Sequence, residues 1–227
     1  MQVIVINRPV DIDRKKRIIE RLEKRNLLEH FHIIPADDNT EEFKTFIKGV
    51  EHTFDERQIR VAGSLLSHIK AYRYFFDESE CSECIILEDD AMLHKDFRAK
   101  LADMISHRPS GCECILLAPY CCVQMTYDQQ VYPGLFNHFS GAIFGASCYW
   151  FTKNFAKRVL EEYDRPMIEY PNFSPCLTSE NVIHNIGACI TIPPLAIEES
   201  IDTNLQPQSH LPGKKTYWNY YGFENYE

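Results

Sequence analysis

The stretch IILEDD at residues 85–90 decides the fold class, because three apolar residues run directly into three carboxylates. A continuous apolar run of this length is typical of a β-strand that is covered on both faces. In open α/β sheets, ligands bind beyond the carboxyl ends of the strands. Successive strand residues point to opposite faces, so the pattern predicts that Glu88 and Asp90 point to the same side of the sheet.

Neighbouring carboxylates repel one another, and a divalent cation removes that repulsion. Hard carboxylate oxygens suit Mg²⁺ or Mn²⁺ that carries substrate phosphates. The three acids of the 85–90 stretch are therefore interpreted as a cation and phosphate site. The alternative from the residues alone is that they begin the next helix, where the helix dipole favours negative charge.

On both sides of this stretch, short apolar runs alternate with amphipathic segments, which is typical of an α/β layered domain. We predict a catalytic domain over residues 1–206 and an aromatic-rich tail over residues 207–227, with a loop-rich middle at residues 119–142. The predicted strands are residues 3–6, 31–35, 85–87, 115–117, 148–151 and 189–192, and the predicted helices are residues 11–25, 62–76, 96–106, 154–163 and 178–185.

Composition narrows the classes of function. The 227 residues contain 24 Lys and Arg against 33 Asp and Glu, a net charge of −9, which disfavours nucleic-acid binding over the whole surface. No apolar run approaches the roughly 20 residues that span a bilayer, and no secretory signal opens the sequence. We therefore expect a soluble cytoplasmic protein whose nine cysteines are reduced thiols rather than zinc ligands. The glycine motifs of dinucleotide and Walker-type sites are absent from the sequence.

Two further segments carry polar residues in places that suit a ligand. Asn7 follows the first predicted strand and Arg14 begins the first predicted helix, a combination that suits a nucleotide edge and an anion. Ser67 and His68 follow a core-facing position of the second predicted helix, so at least one of them is expected to reach a cleft. The alternative for this pair is a capping or surface role.

Taken in order, these segments resemble glycosyltransferase family 25, which contains bacterial lipooligosaccharide glycosyltransferases and the collagen β-galactosyltransferases. The resemblance implies a GT-A fold, an α/β sandwich with a mostly parallel central sheet that binds a nucleotide sugar. It also implies inverting transfer of a hexose, often from UDP-galactose, to a hydroxyl of a glycan or a hydroxylated protein, with Mn²⁺ or Mg²⁺. The segments that carry the resemblance are residues 5–14, 63–68, 86–91, 145–153 and 193–196.

Site residues follow from this resemblance position by position. Glu88 and Asp90 match the metal-binding acids of the family. The residues that match its donor-binding positions are Asn7, Arg14, Asp37, Ser67, His68, Glu88 and Asp89.

The sequence departs from the family pattern at two places. RVAGS at residues 60–64 replaces the family's Gly-Glu-Ile-Gly-Cys, and its Pro-Val-Asp is not present. An inverting transfer needs a base for the acceptor hydroxyl, so we expect a glutamate to replace the missing Asp. Glu180, before a short helix and the late strand, is preferred to Glu169, which follows a looser proline-hydrophobic pattern. The alternative for Glu180 is an acid that stabilises a helix start.

Two other functions stay open at this point. The first is a non-catalytic module that binds a sugar or nucleotide sugar through a degenerate active site. The second is a nucleotidyltransferase or phosphohydrolase that uses the same carboxylates, although such enzymes usually have more acidic ligands or a basic phosphate loop than this sequence contains.

Overall fold

The protein is described from a computed structural model over residues 1–36, 40–119, 130–136, 145–170, 173–174, 177–199 and 223–227. The strands are β1 (Gln2–Asn7), β2 (Phe31–Pro35), β3 (Glu83–Glu88), β4 (Ala91–Leu93), β5 (Cys114–Leu116), β6 (Gln130–Tyr132), β7 (Leu135–Phe136), β8 (Cys148–Thr152), β9 (Cys189–Thr191) and β10 (Ala196–Glu198). The helices are α1 (Ile12–Lys24), α2 (Glu41–Phe46), α3 (Glu56–Glu78), α4 (Phe97–Ser106), α5 (Lys153–Tyr163) and α6 (Ser179–Ile186).

Eight of these strands form the central sheet, in the order β2-β1-β3-β8-β5-β9-β7-β6. Within the described residues, β7 and β8 run against the other strands of this sheet, so it is mostly parallel. The predicted α/β class with a mostly parallel central sheet is confirmed. The parallel arrangement brings the carboxyl ends of β1 and β3 to the same edge, where Ile6 is paired with Glu88.

Both faces of the sheet are covered by apolar side chains, as the continuous apolar runs predict. Ile4 and Ile86 belong to one buried cluster, together with residues of α3, α5 and α6. Val5 and Leu87, which are their strand neighbours, belong to a second cluster with residues of α1 and α4. Residues of β3 are therefore held from both sides, and the acidic end of this strand is fixed in place by the core.

Helix α3 begins earlier than its apolar spacing predicts. The spacing indicates a start near residue 62, whereas the helix begins at Glu56. Asp55 accepts a hydrogen bond from the backbone N–H of Gln58, and the Gln58 side chain accepts one from the backbone N–H of Asp55. This capping box stabilises the additional N-terminal part of the helix, residues 56–61, in which Ile59 also packs against the core.

The acids after β3 do not begin a helix, so that alternative is wrong. Glu88 is the last residue of β3, Asp89 and Asp90 form a turn, and β4 follows at once. The next helix, α4, begins only at Phe97. Because the strand ends at Glu88, the alternation of strand faces does not extend to Asp90.

Strand β4 pairs antiparallel with β10 in a second, two-stranded sheet, and Ala91 lies opposite Glu198. β4 was not predicted, and β10 overlaps at Ala196 with residues 193–196, which resemble the family's late proline-containing strand. The last residues of the sequence add to this sheet, since the backbone groups of Leu93 and Glu227 exchange hydrogen bonds of 3.0 and 3.1 Å. The remainder of the predicted tail, residues 207–222, lies outside the described residues.

Candidate active site

The polar residues at the end of β1 and the start of α1 meet the acids that follow β3. The Asn7 side-chain amide donates to Oδ2 of Asp89 over 2.7 Å, and the Arg14 guanidinium donates to Oδ1 of the same carboxylate over 3.2 Å. The Arg14 guanidinium also lies 3.8 Å from Oδ2 of Asp90. The structure thus brings together Asn7 and Arg14 from one segment of the sequence with Asp89 and Asp90 from another.

Asp89 is 6% exposed, and both of its oxygens have partners. Burial raises its pKa, while the hydrogen bond from Asn7 and the positive charge of Arg14 act in the opposite direction. Two donors therefore compensate much of the cost of burying this carboxylate.

Asp90 is buried to the same extent but is compensated much less. Its Oδ1 atom is buried and has no hydrogen-bond partner in the described part of the chain. Burial raises the pKa of Asp90 well above its usual range, the negative charges of Glu198 and Glu88 raise it further, and Arg14 opposes them. A bound cation would satisfy this oxygen and cancel the repulsion, so the residues fit a divalent ion in this respect.

Glu198 is a site residue that the sequence analysis missed. Antiparallel pairing of β10 with β4 brings it beside Asp90, and the neighbouring Glu199 backbone N–H donates to the Asp90 carbonyl over 2.7 Å. The Glu199 carboxylate lies 3.2 Å from Arg17 and 3.0 Å from Arg21, which holds the end of β10 against α1. The signal in the sequence is a second apolar run, at residues 195–197, that ends in acids.

Among Asp, Glu, His and Cys side chains of the described residues, no group of three or more is already arranged to hold a metal ion. Mg²⁺ and Mn²⁺ need fewer protein ligands than that, because Mg²⁺ is usually bound by one or two carboxylates together with substrate phosphates. Glu88 and Asp90 could supply such a pair, since the negative charge of Glu88 is close enough to raise the pKa of Asp90.

His68 lies behind Glu88 and is 1% exposed. Its Nε2 atom is 3.2 Å from Oε1 of Glu88, and its Nδ1 atom is 2.8 Å from the hydroxyl of Tyr149. Ser67 is also buried, and its hydroxyl donates to the Gly63 carbonyl within α3 over 2.8 Å. Tyr149, on β8, is a second residue that the sequence analysis missed as part of the site.

The two candidate bases lie in different surroundings. Glu180, in the first turn of α6, accepts from the backbone N–H groups of Gly145 and Ala146 over 3.4 and 3.5 Å. The backbone carbonyl of the next residue, Ser147, accepts from the backbone N–H of Glu88 over 2.8 Å. Glu180 therefore contacts a segment that is directly joined to the carboxylate cluster, which consists of Glu88, Asp89, Asp90 and Glu198.

Glu169 is exposed, in the short 3₁₀ helix Met167–Glu169. None of the contacts found between described residues connects it to the carboxylate cluster. Asp37, which the resemblance to the family places in the donor site, lies outside the described residues. The roles of both residues stay predictions.

Comparison with known families agrees with this arrangement. Residues 1–171 match the family described as glycosyltransferase family 25 (LPS biosynthesis protein). The chain belongs to glycosyltransferase family 25. The family 25 match includes the acids after β3 and the polar ends of β1 and α1, and it ends before Glu180 and Glu198. Membership in family 25 makes the chain a glycosyltransferase, and it confirms the resemblance seen in the sequence.

Several solved structures resemble the family 25 chain. They include a protein described as a glucose-1-phosphate thymidylyltransferase from Bacillus anthracis, with 8% identity and a TM-score of 0.46 over 86% of this chain and 90% of that one. Another is a glycosyltransferase involved in the glycosylation of the major capsid of PBCV-1, with 9% identity and a TM-score of 0.43 over 96% and 98% of the two chains. A search of curated proteins gave no match. Among the described helices, none combines the length and the apolar character needed to cross a bilayer.

Proposed function

We propose that this family 25 glycosyltransferase moves a hexose, galactose or glucose, from a UDP-sugar to a hydroxyl of a glycan or a hydroxylated protein, with inversion and with Mn²⁺ or Mg²⁺. The observation that carries the proposal is the buried Oδ1 atom of Asp90, which has no partner in the described residues, in a carboxylate whose pKa is raised by burial and by the charges of Glu198 and Glu88. A buried, uncompensated oxygen of this kind is costly unless a ligand completes it.

In this proposal Glu88 and Asp90 hold the cation. When bound, the cation neutralises the charge that develops on the leaving diphosphate. Arg14 lies between Asp89 and Asp90 and its side chain is 28% exposed, so it can face the diphosphate while it neutralises Asp89. Asn7 keeps Asp89 oriented, and we expect that carboxylate to contact the donor's sugar or ribose hydroxyls.

Glu180 is the proposed base. In an inverting transfer the acceptor oxygen forms a bond to the anomeric carbon as the bond to the diphosphate breaks, and the bonding electrons leave with the diphosphate. The acceptor hydroxyl loses its proton at the same time, and Glu180 receives it. The backbone N–H groups of Gly145 and Ala146 fix the carboxylate for this purpose.

Thermal unfolding with UDP, with and without Mn²⁺, tests the donor and cation sites. A bound ligand raises the midpoint by mass action, so we expect UDP and Mn²⁺ together to stabilise the wild type. Asp90→Asn should lose this effect. Asp77→Asn, which changes an exposed aspartate near the end of α3, should keep it. Equal stabilisation of both variants would contradict the proposed cation site.

A transfer assay with a panel of UDP-hexoses and hydroxyl acceptors compares the two glutamates. Removing a general base costs about 10²–10⁴-fold in turnover, so Glu180→Gln should fall by that amount while donor binding is kept. Glu169→Gln should stay near the wild-type rate. The reverse ranking would assign the base to Glu169.

A non-catalytic binding module is the second candidate, because the family match ends at residue 171 and the preferred base lies beyond it. Hydrolysis of the donor with Mn²⁺ and no acceptor separates the two functions. A protein that binds UDP but neither transfers nor hydrolyses the sugar would be such a module.

A further inference from the structure

Three residues from three elements form a buried line that ends at the carboxylate cluster. Tyr149 on β8 lies opposite Ile86 of β3, and His68 reaches this line from α3, which packs on the same face of the sheet. The line runs from the Tyr149 hydroxyl to the His68 ring over 2.8 Å, and from the ring to Glu88 over 3.2 Å.

The chemistry of the end group sets the direction of these hydrogen bonds. An ionised Glu88 carboxylate can only accept, so Nε2 of His68 has to carry a proton. In a neutral imidazole the other nitrogen, Nδ1, is then an acceptor, and the Tyr149 hydroxyl has to donate to it. Burial raises the pKa of Tyr149 well above its usual range, which agrees with a hydroxyl that keeps its proton.

His68 is badly placed to contact a ligand itself. Its side chain is 1% exposed, and both ring nitrogens are engaged. The Glu88 side chain, by contrast, is 34% exposed, so the carboxylate can meet a ligand from the side that does not face His68. The imidazole therefore acts on the ligand through the carboxylate.

We infer that Tyr149 and His68 are positioning residues, which fix one oxygen of Glu88 so that the carboxylate presents its exposed side to the cation. The inference rests on the proposed function, because it assumes that Glu88 holds the cation. Residues that orient a metal ligand in this way typically contribute about 10–100-fold to metal affinity or activity.

Tyr149→Phe tests the inference, because it removes the hydroxyl and keeps the aromatic ring. Two quantities are measured: the ¹⁵N shifts of the His68 ring, which report its tautomer in the metal-free protein, and Mn²⁺ affinity from the signal of free Mn²⁺ in electron paramagnetic resonance. We expect the wild-type ring to carry its proton on Nε2. In Tyr149→Phe we expect the ring to leave this single tautomer and Mn²⁺ affinity to fall about tenfold.

Tyr170→Phe is a matched control, since Tyr170 is also buried and its hydroxyl donates over 2.8 Å to the backbone carbonyl of Tyr163. It should lose thermal stability in the same way and keep both the His68 tautomer and Mn²⁺ affinity. His68→Gln identifies the His68 signals, and its amide can still donate to Glu88. We expect this variant to keep more Mn²⁺ affinity than His68→Ala.

The outcomes distinguish failure of the proposed function from failure of the positioning role alone. A wild type that binds neither Mn²⁺ nor UDP overturns the proposed function and, with it, the positioning role. A wild type that binds Mn²⁺ normally, next to a Tyr149→Phe variant with unchanged tautomer and affinity, overturns the positioning role alone.

Discussion

Asp89 and Asp90 are neighbours in the sequence and are buried to the same extent, yet the protein compensates their charges to different degrees. Asp89 accepts hydrogen bonds from Asn7 and Arg14. Asp90 lies close to the negative charges of Glu88 and Glu198, and one of its oxygens has no partner among the described residues. Burial alone therefore does not separate a carboxylate whose charge the protein compensates from one whose charge is left to a ligand, whereas the charges that surround each carboxylate do.

The same contrast recurs at the end of β10, which lies beside the turn formed by Asp89 and Asp90. Glu199 lies close to Arg17 and Arg21, whereas the preceding Glu198 adds negative charge beside Asp90. At each place, one acid of a consecutive pair fixes the structure through arginine, and the other adds to a negative cluster. We expect loss of the second kind to reduce function without reducing stability, and loss of the first kind to reduce stability.

The largest expected effect is on activity in Asp90→Asn. Losing a cation ligand removes several kcal/mol of stabilisation from the transition state, so transfer should fall by about 100-fold or more at saturating donor. The free energy of unfolding of the metal-free variant should stay equal or rise, because an amide carries no charge into the cluster. Urea unfolding and an initial-rate assay measure the two quantities. A loss of both activity and stability would show that the folded protein needs the charge of Asp90, as we expect for Asp89.

Arg14→Gln should lower stability as well as donor binding. Hydrogen bonds to charged groups contribute about 1.5–3 kcal/mol, so the free energy of unfolding should fall by about 2 kcal/mol at pH 8. The loss should shrink in acid, where the carboxylates next to Arg14 become protonated. Arg17→Gln is the control, because that pair with Glu199 is largely exposed and should cost less than about 1 kcal/mol. Equal losses in both variants would show that the buried position adds nothing.

The difference between the two aspartates could not be predicted from the sequence. The apolar runs predict six of the eight strands of the central sheet but not β6 and β7, and the acidic run at the end of β3 predicts a site at the edge where those acids meet Asn7 and Arg14. The sequence does not indicate that β4 and β10 pair, because an apolar run of three residues does not specify its partner strand. The approach of Glu198 to Asp90 depends on those strands and joins residues that are 108 positions apart in the sequence. No local pattern reports such a contact.

For the other site residues, too, only part of the surroundings could be predicted from the sequence. Asn7 and Arg14 were predicted to be near a ligand, and the pairing of β1 with β3 explains their meeting with Asp89. For His68, the sequence left open a cleft or a surface position, and the structure instead buries it against Tyr149. The burial of a residue on a helix depends on what packs against it, which the spacing of apolar positions does not specify.

The pH dependence of stability provides a third test. Burial and neighbouring acids raise the pKa of Asp90 in the folded protein, so the folded state binds this proton more tightly than the unfolded chain does. The stabilisation is complete below the ordinary aspartate pKa of about 4 and is lost as pH rises through the folded value. For one proton the slope reaches about 1.4 kcal/mol per pH unit at most. Urea unfolding of the metal-free protein at several pH values measures it.

In Asp90→Asn this fall in stability with rising pH should be smaller, and what remains should come from Asp89, whose pKa is also raised by burial. Adding Mn²⁺ to the wild type should flatten the fall at high pH, because the cation replaces the proton as the compensating charge. An Asp90→Asn variant with the wild-type pH dependence would show that other groups cause it.

The smallest expected effects separate Glu198 from Glu199. Glu198→Gln removes one of the charges that raise the pKa of Asp90, so in this variant the loss of stability with rising pH should end at a lower pH and be smaller in total. Its free energy of unfolding at pH 8 should change by less than about 1 kcal/mol. Glu199→Gln should instead lower that free energy by up to about 1 kcal/mol at every pH above 5, because Arg17 and Arg21 lose a partly exposed partner. If the two glutamine variants gave the same pH profile, Glu198 and Glu199 would be equivalent. The difference between adjacent acids would then hold only for Asp89 and Asp90.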